Sequence, residues 1–164
     1  MIKGQAGEKV RLKVRHPSGI EEVVSIVRAK IQIPAVEWEI LKDVNILLID
    51  INLFNTQAPR ELKQLLENYM DSNIKGIIVD LRGNPGGLLG SALKITSNFV
   101  DEGVIVRTVL ADGKEEYKTR GNSFPNIPMV VLVDRGTASA SEVFAGAIRD
   151  NNVGVLVGRR TYGK

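Results

Sequence analysis

Ser139 stands in the segment Asp134-Arg135-Gly136-Thr137-Ala138-Ser139-Ala140-Ser141-Glu142. A buried strand runs into a tight glycine turn, and the serine falls at the start of the helix that follows. The first N–H groups of a helix have no internal partners, and the helix dipole makes that end positive. A serine placed there can attack a carbonyl while neighbouring N–H groups hold the developing oxyanion. Ala138 and Ala140 leave room for a substrate backbone. The same letters have a second reading. Ser139-x-x-Glu142 is also a capping box, in which serine caps the helix and glutamate reaches back, and Thr137 or Ser141 could equally be the cap. The local sequence leaves both readings open.

Two further segments carry possible chemistry. Arg82-Gly83-Asn84-Pro85-Gly86-Gly87 follows a strand and precedes a helix, so it can present backbone N–H groups to an anion. It has neither the GxxxxGK[ST] nor the GxGxxG pattern, and it reads equally as a turn that needs positive φ. Gly158-Arg159-Arg160-Thr161-Tyr162-Gly163-Lys164 brings a lysine in a glycine-containing loop. Such a lysine is ordinarily a surface charge. To act as a general base it must be neutral, which burial favours. A Ser–Lys pair then takes the place of Ser–His. Asp150 lies eleven residues after Ser139. On a continuous helix that is about 16 Å along the axis, too far for contact. Its expected work is to anchor the helix end or a neighbouring loop.

The elements that must position these residues follow from periodicity. Residues 9–15 alternate Val10, Leu12 and Val14 against basic residues, as a half-buried strand does, and residues 21–33 form a second extended run. Between them, the turn around His16 closes a hairpin. Residues 35–41 alternate with Val36, Trp38 and Ile40 on one face. Residues 45–51 are nearly continuous apolar, as in a strand buried on both faces. Over 58–72 the period changes: Leu62, Leu65, Leu66, Tyr69 and Met70 mark an amphipathic helix, with Pro59 in its first turn and Asn55 or Thr56 as cap. A short strand over 76–81 enters the glycine turn, and a helix over 88–99 follows. Residues 104–109 and 115–119 flank a hairpin turn at 111–114. Residues 128–134 form a buried strand, 138–150 a helix, 153–157 a strand and 158–164 a loop. Strands alternating with helices indicate an α/β core with a mostly parallel sheet.

Composition narrows the function. A chain of 164 residues, 43% apolar and 25% charged, forms one domain with a sizeable core and is neither disordered nor fibrous. The net charge of +3 is scattered, with no basic stripe and no interleaved aromatics, so nucleic acid is not an expected partner. The absence of cysteine excludes disulfides and thiolate metal sites. The one histidine, His16, sits in a turn, so neither a Ser-His-Asp triad nor a metal cluster is expected. No stretch approaches the roughly 20 apolar residues that span a bilayer, and the first residues lack the apolar run of a signal peptide.

Taken together, Leu81-Arg82-Gly83-Asn84-Pro85-Gly86-Gly87, the segment from Gly136 to Glu142 and the segment from Gly158 to Lys164 resemble the C-terminal processing peptidases, or tail-specific proteases. Order and spacing match over about 80 residues, and the Ile31-Gln32-Ile33-Pro34-Ala35-Val36 and Phe54 regions fit more weakly. The resemblance implies an α/β fold with a ClpP/crotonase-like core of ββα units, incomplete at the C-terminus. It aligns Ser139 with the nucleophile and Lys164, 25 residues later, with the general base. It aligns the backbone amides of Gly86 and Ala140 with the oxyanion hole, and Asp150 with a supporting acidic position. The implied activity is serine endopeptidase cleavage of polypeptides near their C-termini through an acyl-enzyme, without metal or other cofactor. The implied partners are polypeptides with accessible C-termini, and the implied location is extracytoplasmic, in a bacterial periplasm or cell envelope.

The resemblance also sets expectations for what is missing. Family members carry a PDZ domain before the core and a Gly-x-x-Gln that continues past the lysine. Residues 1–30 are therefore expected to be the end of a PDZ domain with connecting strands. Residues 31–164 are expected to be the catalytic core, truncated after Lys164. Such a fragment is expected to be weakly active or inactive, and an open sheet edge favours self-association. The alternative is a non-hydrolytic module on the same fold that binds peptides or hydrophobic ligands.

Overall fold

A computed structural model describes residues 2–29, 34–69, 73–110, 113–120, 124 and 127–164. The chain divides into two units, Met1–Ile33 and Pro34–Lys164. The first is an antiparallel hairpin of β1 (Lys9–Arg15) and β2 (Glu21–Val27), with Lys9 opposite Val27. Its turn is closed by the His16 N–H on the Ile20 carbonyl and the Gly19 N–H on the His16 carbonyl, both at 2.9 Å. Val10 and Leu12 are half-buried as the alternation predicts, whereas Val14 is exposed. No helix is present over residues 2–8. Gly4 and Gly7 fall in that stretch, and glycine is a poor helix former. The extended run expected over 21–33 is formed as far as Val27, and positions 30–33 lie outside the described residues.

The second unit contains, in chain order, β3 (Val36–Leu41), β4 (Ile46–Ile51), α1 (Ala58–Tyr69), β5 (Gly76–Asp80), α2 (Leu89–Thr96), β6 (Glu102–Leu110), β7 (Gly113–Arg120), β8 (Met129–Val133), α3 (Ala140–Asp150) and β9 (Val155–Gly158). Five of its strands make one sheet in the order β3-β4-β5-β8-β9. β3 and β4 are antiparallel and every other pair is parallel, which meets the α/β expectation. β6 and β7 pair separately as a hairpin, whose expected turn residues 111 and 112 lie outside the described residues.

Each element has a local cause. β4 buries Leu47, Ile49 and Ile51 completely. β5 and β8 lie inside the sheet and are apolar on both faces. In α1, Leu62, Leu65 and Leu66 face the core. Asn55 is its cap, its Oδ1 accepting from the N–H groups of Gln57 (2.8 Å) and Ala58 (3.0 Å). Met70 lies outside the described residues. α2 packs between α1 and α3. The connections β4-α1-β5, β5-α2-β8 and β8-α3-β9 all step the same way across the sheet, so right-handed crossovers put the helices in one layer. Phe144 of α3 seals this layer, with ring centroids 6.2 Å from Phe54 and 5.9 Å from Phe99.

This topology determines where a site can be. The parallel strands β4, β5, β8 and β9 end together at one edge. They lead into Leu53-Phe54, the glycine turn, the Ser139 turn and the Lys164 loop respectively. In open α/β sheets the carboxyl ends of the strands are where ligands bind.

Candidate active site

The turn after β8 holds Ser139 at φ 55° and ψ −119°. That backbone belongs to the left-handed half of conformational space, which a residue with a Cβ rarely adopts. A capping serine takes extended angles instead. The capping-box arrangement with Glu142 is present, but its two halves differ. Glu142 Oε2 accepts the Ser139 N–H at 2.9 Å. In the other half the Glu142 N–H faces the Ser139 side chain and donates to the Ser139 backbone carbonyl at 2.9 Å. Ser139 therefore holds a strained conformation, which favours function over capping alone. The strain also delays α3, which begins at Ala140 and not at the expected Ala138.

The glycine turn is fitted against this serine. Gly86 has φ +102°, and a Cβ there would stand 2.6 Å from the Ala138 carbonyl oxygen and 2.8 Å from the Ala140 nitrogen. Only glycine lets the two turns approach so closely. Asn84, 3% exposed, ties three elements together. Its Nδ2 donates to the Ile51 carbonyl at the end of β4. Its Oδ1 accepts the Gly86 N–H at 2.8 Å, and its backbone oxygen accepts the Ala138 N–H at 3.0 Å. Asp134 adds a second tie, with Oδ1 accepting from the N–H groups of Gly83 (2.9 Å) and Gly136 (2.8 Å). The Gly83 bond, helped by those of Gly136 and Thr137, holds the Asp134 carboxyl below its ordinary value despite partial desolvation. Thr137, fully buried, donates to the Leu81 carbonyl at 2.7 Å.

Gly86 lies against the Ser139 turn, and its N–H, the first expected oxyanion donor, is engaged by Asn84 Oδ1. Ala140, at the first position of α3, is the expected donor whose N–H meets no acceptor among the described residues.

The Lys164 loop joins the same site through Glu142. Glu142 Oε1 accepts from Thr161 Oγ1 (2.8 Å) and the Gly163 N–H (2.7 Å). Oε2, already holding Ser139, also accepts the Lys164 N–H at 3.1 Å. One carboxylate oxygen thus joins the backbones of the expected nucleophile and the expected base. Burial pushes the Glu142 carboxyl up, but the bonds from Lys164, Thr161, Gly163 and Ser139 outweigh it and hold the group below its usual value. The Lys164 side chain is exposed, as a loop lysine ordinarily is, while its backbone turns toward Glu142.

Asp150 sits at the far end of the unbroken helix from Ser139, as its spacing predicts. Its expected anchoring role belongs to its neighbour. Asp150 is exposed and pairs with Arg149 at 2.7 Å, while Asn151 Nδ2 donates to the Val104 carbonyl at 3.0 Å. Asp150 does line a cleft of about 530 Å³ between α3 and β6, together with Glu142, Gly146 and Arg107. Glu142, Gly146 and Asp150 follow one another at four-residue spacing along a single helix face, and the glycine leaves that face open. Asn84, Asp134 and the bridging use of Glu142 escaped the sequence reading. Their signal was the run of short polar residues at the carboxyl ends of β5 and β8, which the glycines overshadowed.

The chain is similar to known proteins over most of its length. The sequence signature of Peptidase family S41 matches residues 45–164. A probable CtpA-like serine protease of Staphylococcus epidermidis is 36% identical across the whole of this chain, which covers 34% of that protein. The carboxy-terminal processing protease CtpA of Bacillus subtilis is also 36% identical, with 100% of this chain and 35% of the relative covered. The chain thus spans about a third of the length of these relatives. A solved photosystem II D1 C-terminal processing protease superposes with a TM-score of 0.76 at 29% identity, over 98% of this chain and 46% of that one. The matched region contains all three turns at the carboxyl edge of the sheet, and the chain belongs to peptidase family S41.

Proposed function

We propose that this chain carries the reaction centre of a serine endopeptidase that cuts polypeptides near their C-termini. The observation that carries the proposal is the strained Ser139, whose N–H shares one carboxylate oxygen with the N–H of Lys164. The names of the staphylococcal and Bacillus relatives support the substrate class.

In the proposed reaction, Lys164 Nζ takes the proton of Ser139 Oγ as Oγ attacks a peptide carbonyl carbon. The Ala140 N–H receives the oxyanion, joined by the Gly86 N–H once it leaves Asn84 Oδ1. The leaving amine takes the proton back from Lys164. Water then hydrolyses the acyl-enzyme by the same route in reverse. Asp150, on the wall of the α3–β6 cleft, supports the site from a distance. Family resemblance supports an extracytoplasmic location. The edge strand β9, with Val155 and Val157 more than half or half exposed, supports self-association.

The test is hydrolysis of a denatured protein together with labelling by a fluorescent fluorophosphonate. We expect weak turnover by this chain and slow labelling, both lost in Ser139→Ala and Lys164→Ala. Cleavage that persists in Ser139→Ala would refute the dyad. One observation favours a second reading, a peptide-binding module without hydrolysis: Lys164 is exposed and the Gly86 N–H is occupied. Peptide binding without labelling at Ser139 would select that reading.

A further inference from the structure

Beside the Ser139 turn is a cavity of about 360 Å³ lined by Arg135, Arg160, Thr161 and Tyr162. Its walls are fixed to the site by backbone bonds. The Arg159 N–H donates to the Val133 carbonyl at 3.0 Å, and the Tyr162 N–H donates to the Thr137 carbonyl at 2.9 Å, two residues before Ser139. Thr161 is tied to Glu142. The Tyr162 ring stands 70% exposed, as an open side wall.

The charge in this corner is unbalanced. Neither Arg135 nor Arg160 takes part in an ion pair among the described residues, whereas Arg15, Arg28, Arg82, Arg107 and Arg149 do. Arg159 and Lys164 add two more positive groups nearby. The two local carboxylates are already committed: Asp134 Oδ1 to the backbone of the glycine turns, and both oxygens of Glu142 to the Ser139 turn and the Lys164 loop. Two arginines that line one cavity, with no acceptor for either among the described residues, form a receptor for an anion. Their planar, forked donors match a carboxylate.

We infer that Arg135 and Arg160 bind a carboxylate of the polypeptide that lies across Ser139. The inference rests on the peptidase reading for the identity of its ligand, and it assigns that ligand an acidic end. The carboxylate has two sources, the free C-terminus of the peptide or an Asp or Glu side chain near it. The first would make the pocket a gauge of how close the cut lies to the chain end.

Fluorescence polarisation with the intact chain carrying Ser139→Ala tests binding without turnover. The probes are three fluorescein-labelled peptides of one Ala/Gly/Ser/Leu sequence. The first ends in a free carboxylate, the second in an amide, and the third is amidated with Asp as its last residue. The free acid is expected to bind about tenfold more tightly than the amide, with the preference fading as salt rises. Arg135→Gln and Arg160→Gln are each expected to remove most of that preference while leaving amide binding unchanged. Equal binding of the acid and Asp peptides identifies any carboxylate as the ligand, and preference for the acid alone identifies the chain terminus. Equal binding of all three peptides, or a preference that survives both arginine variants, overturns the inference. Hydrolysis by the unsubstituted chain is scored separately. A carboxylate preference without hydrolysis keeps the pocket and counts against catalysis by this chain, and hydrolysis without the preference refutes the pocket alone.

Discussion

Replacing Glu142 by glutamine tests whether one carboxylate holds the reaction centre together. The side chain accepts four hydrogen bonds, two on each oxygen. Glutamine keeps one acceptor oxygen and turns an NH₂ toward two N–H donors. If the oxygen stays with Thr161 and Gly163, the bonds to Ser139 and Lys164 are lost together. Each is worth about 1 kcal/mol in this half-exposed position, after discounting the charged bond for solvent screening, so stability should fall by about 2 kcal/mol. For a domain of this size that is a Tm drop of roughly 4–8 °C. Labelling of Ser139 by the fluorophosphonate should fall further, by about a hundredfold, because small misplacements of reacting groups cost that much. The two effects have different pH signatures. The Glu142 carboxyl is held below its unfolded value, so its stabilisation is fully present above that value and disappears as pH falls through the folded one. The stability gap between the two proteins should therefore be constant near neutrality and close as pH falls below the ordinary glutamate range. Urea unfolding read by the single tryptophan, Trp38, which packs on Tyr69 at 4.4 Å, gives the stabilities. A variant that loses the expected stability yet labels at the original rate would refute the positioning role. A variant unchanged in both would refute the network itself.

Three other perturbations probe the surroundings of that clamp. Gly86→Ala places a Cβ on the Ala138 carbonyl and the Ala140 nitrogen at a positive φ, and should cost about 2–4 kcal/mol in urea unfolding and abolish labelling. Asn84→Ala leaves the Ile51 carbonyl and the Gly86 N–H without their partner in a buried place, for a loss of about 3 kcal/mol. Asn84→Asp keeps the acceptor for Gly86 and should retain more labelling than Asn84→Ala. Asn55→Ala removes the cap of α1, which stands at the same strand end as the glycine turn, and should lower stability by about 1 kcal/mol in urea unfolding.

How far the sequence foretells this site depends on the distance between partners. β4, β5 and β8 were legible because their apolar runs are the signature of strands covered on both faces, and α1 because Leu62, Leu65 and Leu66 keep a helical period. The ties that shape the site join residues far apart in the chain. Thr137 bonds Leu81 across 56 positions and Asp134 bonds Gly83 across 51. No local pattern announces such pairs. The start of α3 was misplaced for a related reason: helix propensity favours Ala138, but packing against Gly86 forces Ser139 to positive φ. The local sequence reads Lys164 as a surface lysine, and it is exposed. Its assignment as the base comes from the family resemblance alone, since loop periodicity carries no record of what covers a loop.

The backbone angles of Ser139 also bear on what selection has kept. Glycine occupies φ 55°, ψ −119° at little cost, whereas serine pays for its Cβ there. Ser139→Gly should therefore melt higher than the natural chain, by roughly 1 kcal/mol, while losing every reaction of the hydroxyl. A residue whose removal makes the fold more robust is not retained for the fold. On the proposed role of Ser139, the turn after β8 is a point where stability and reactivity are opposed.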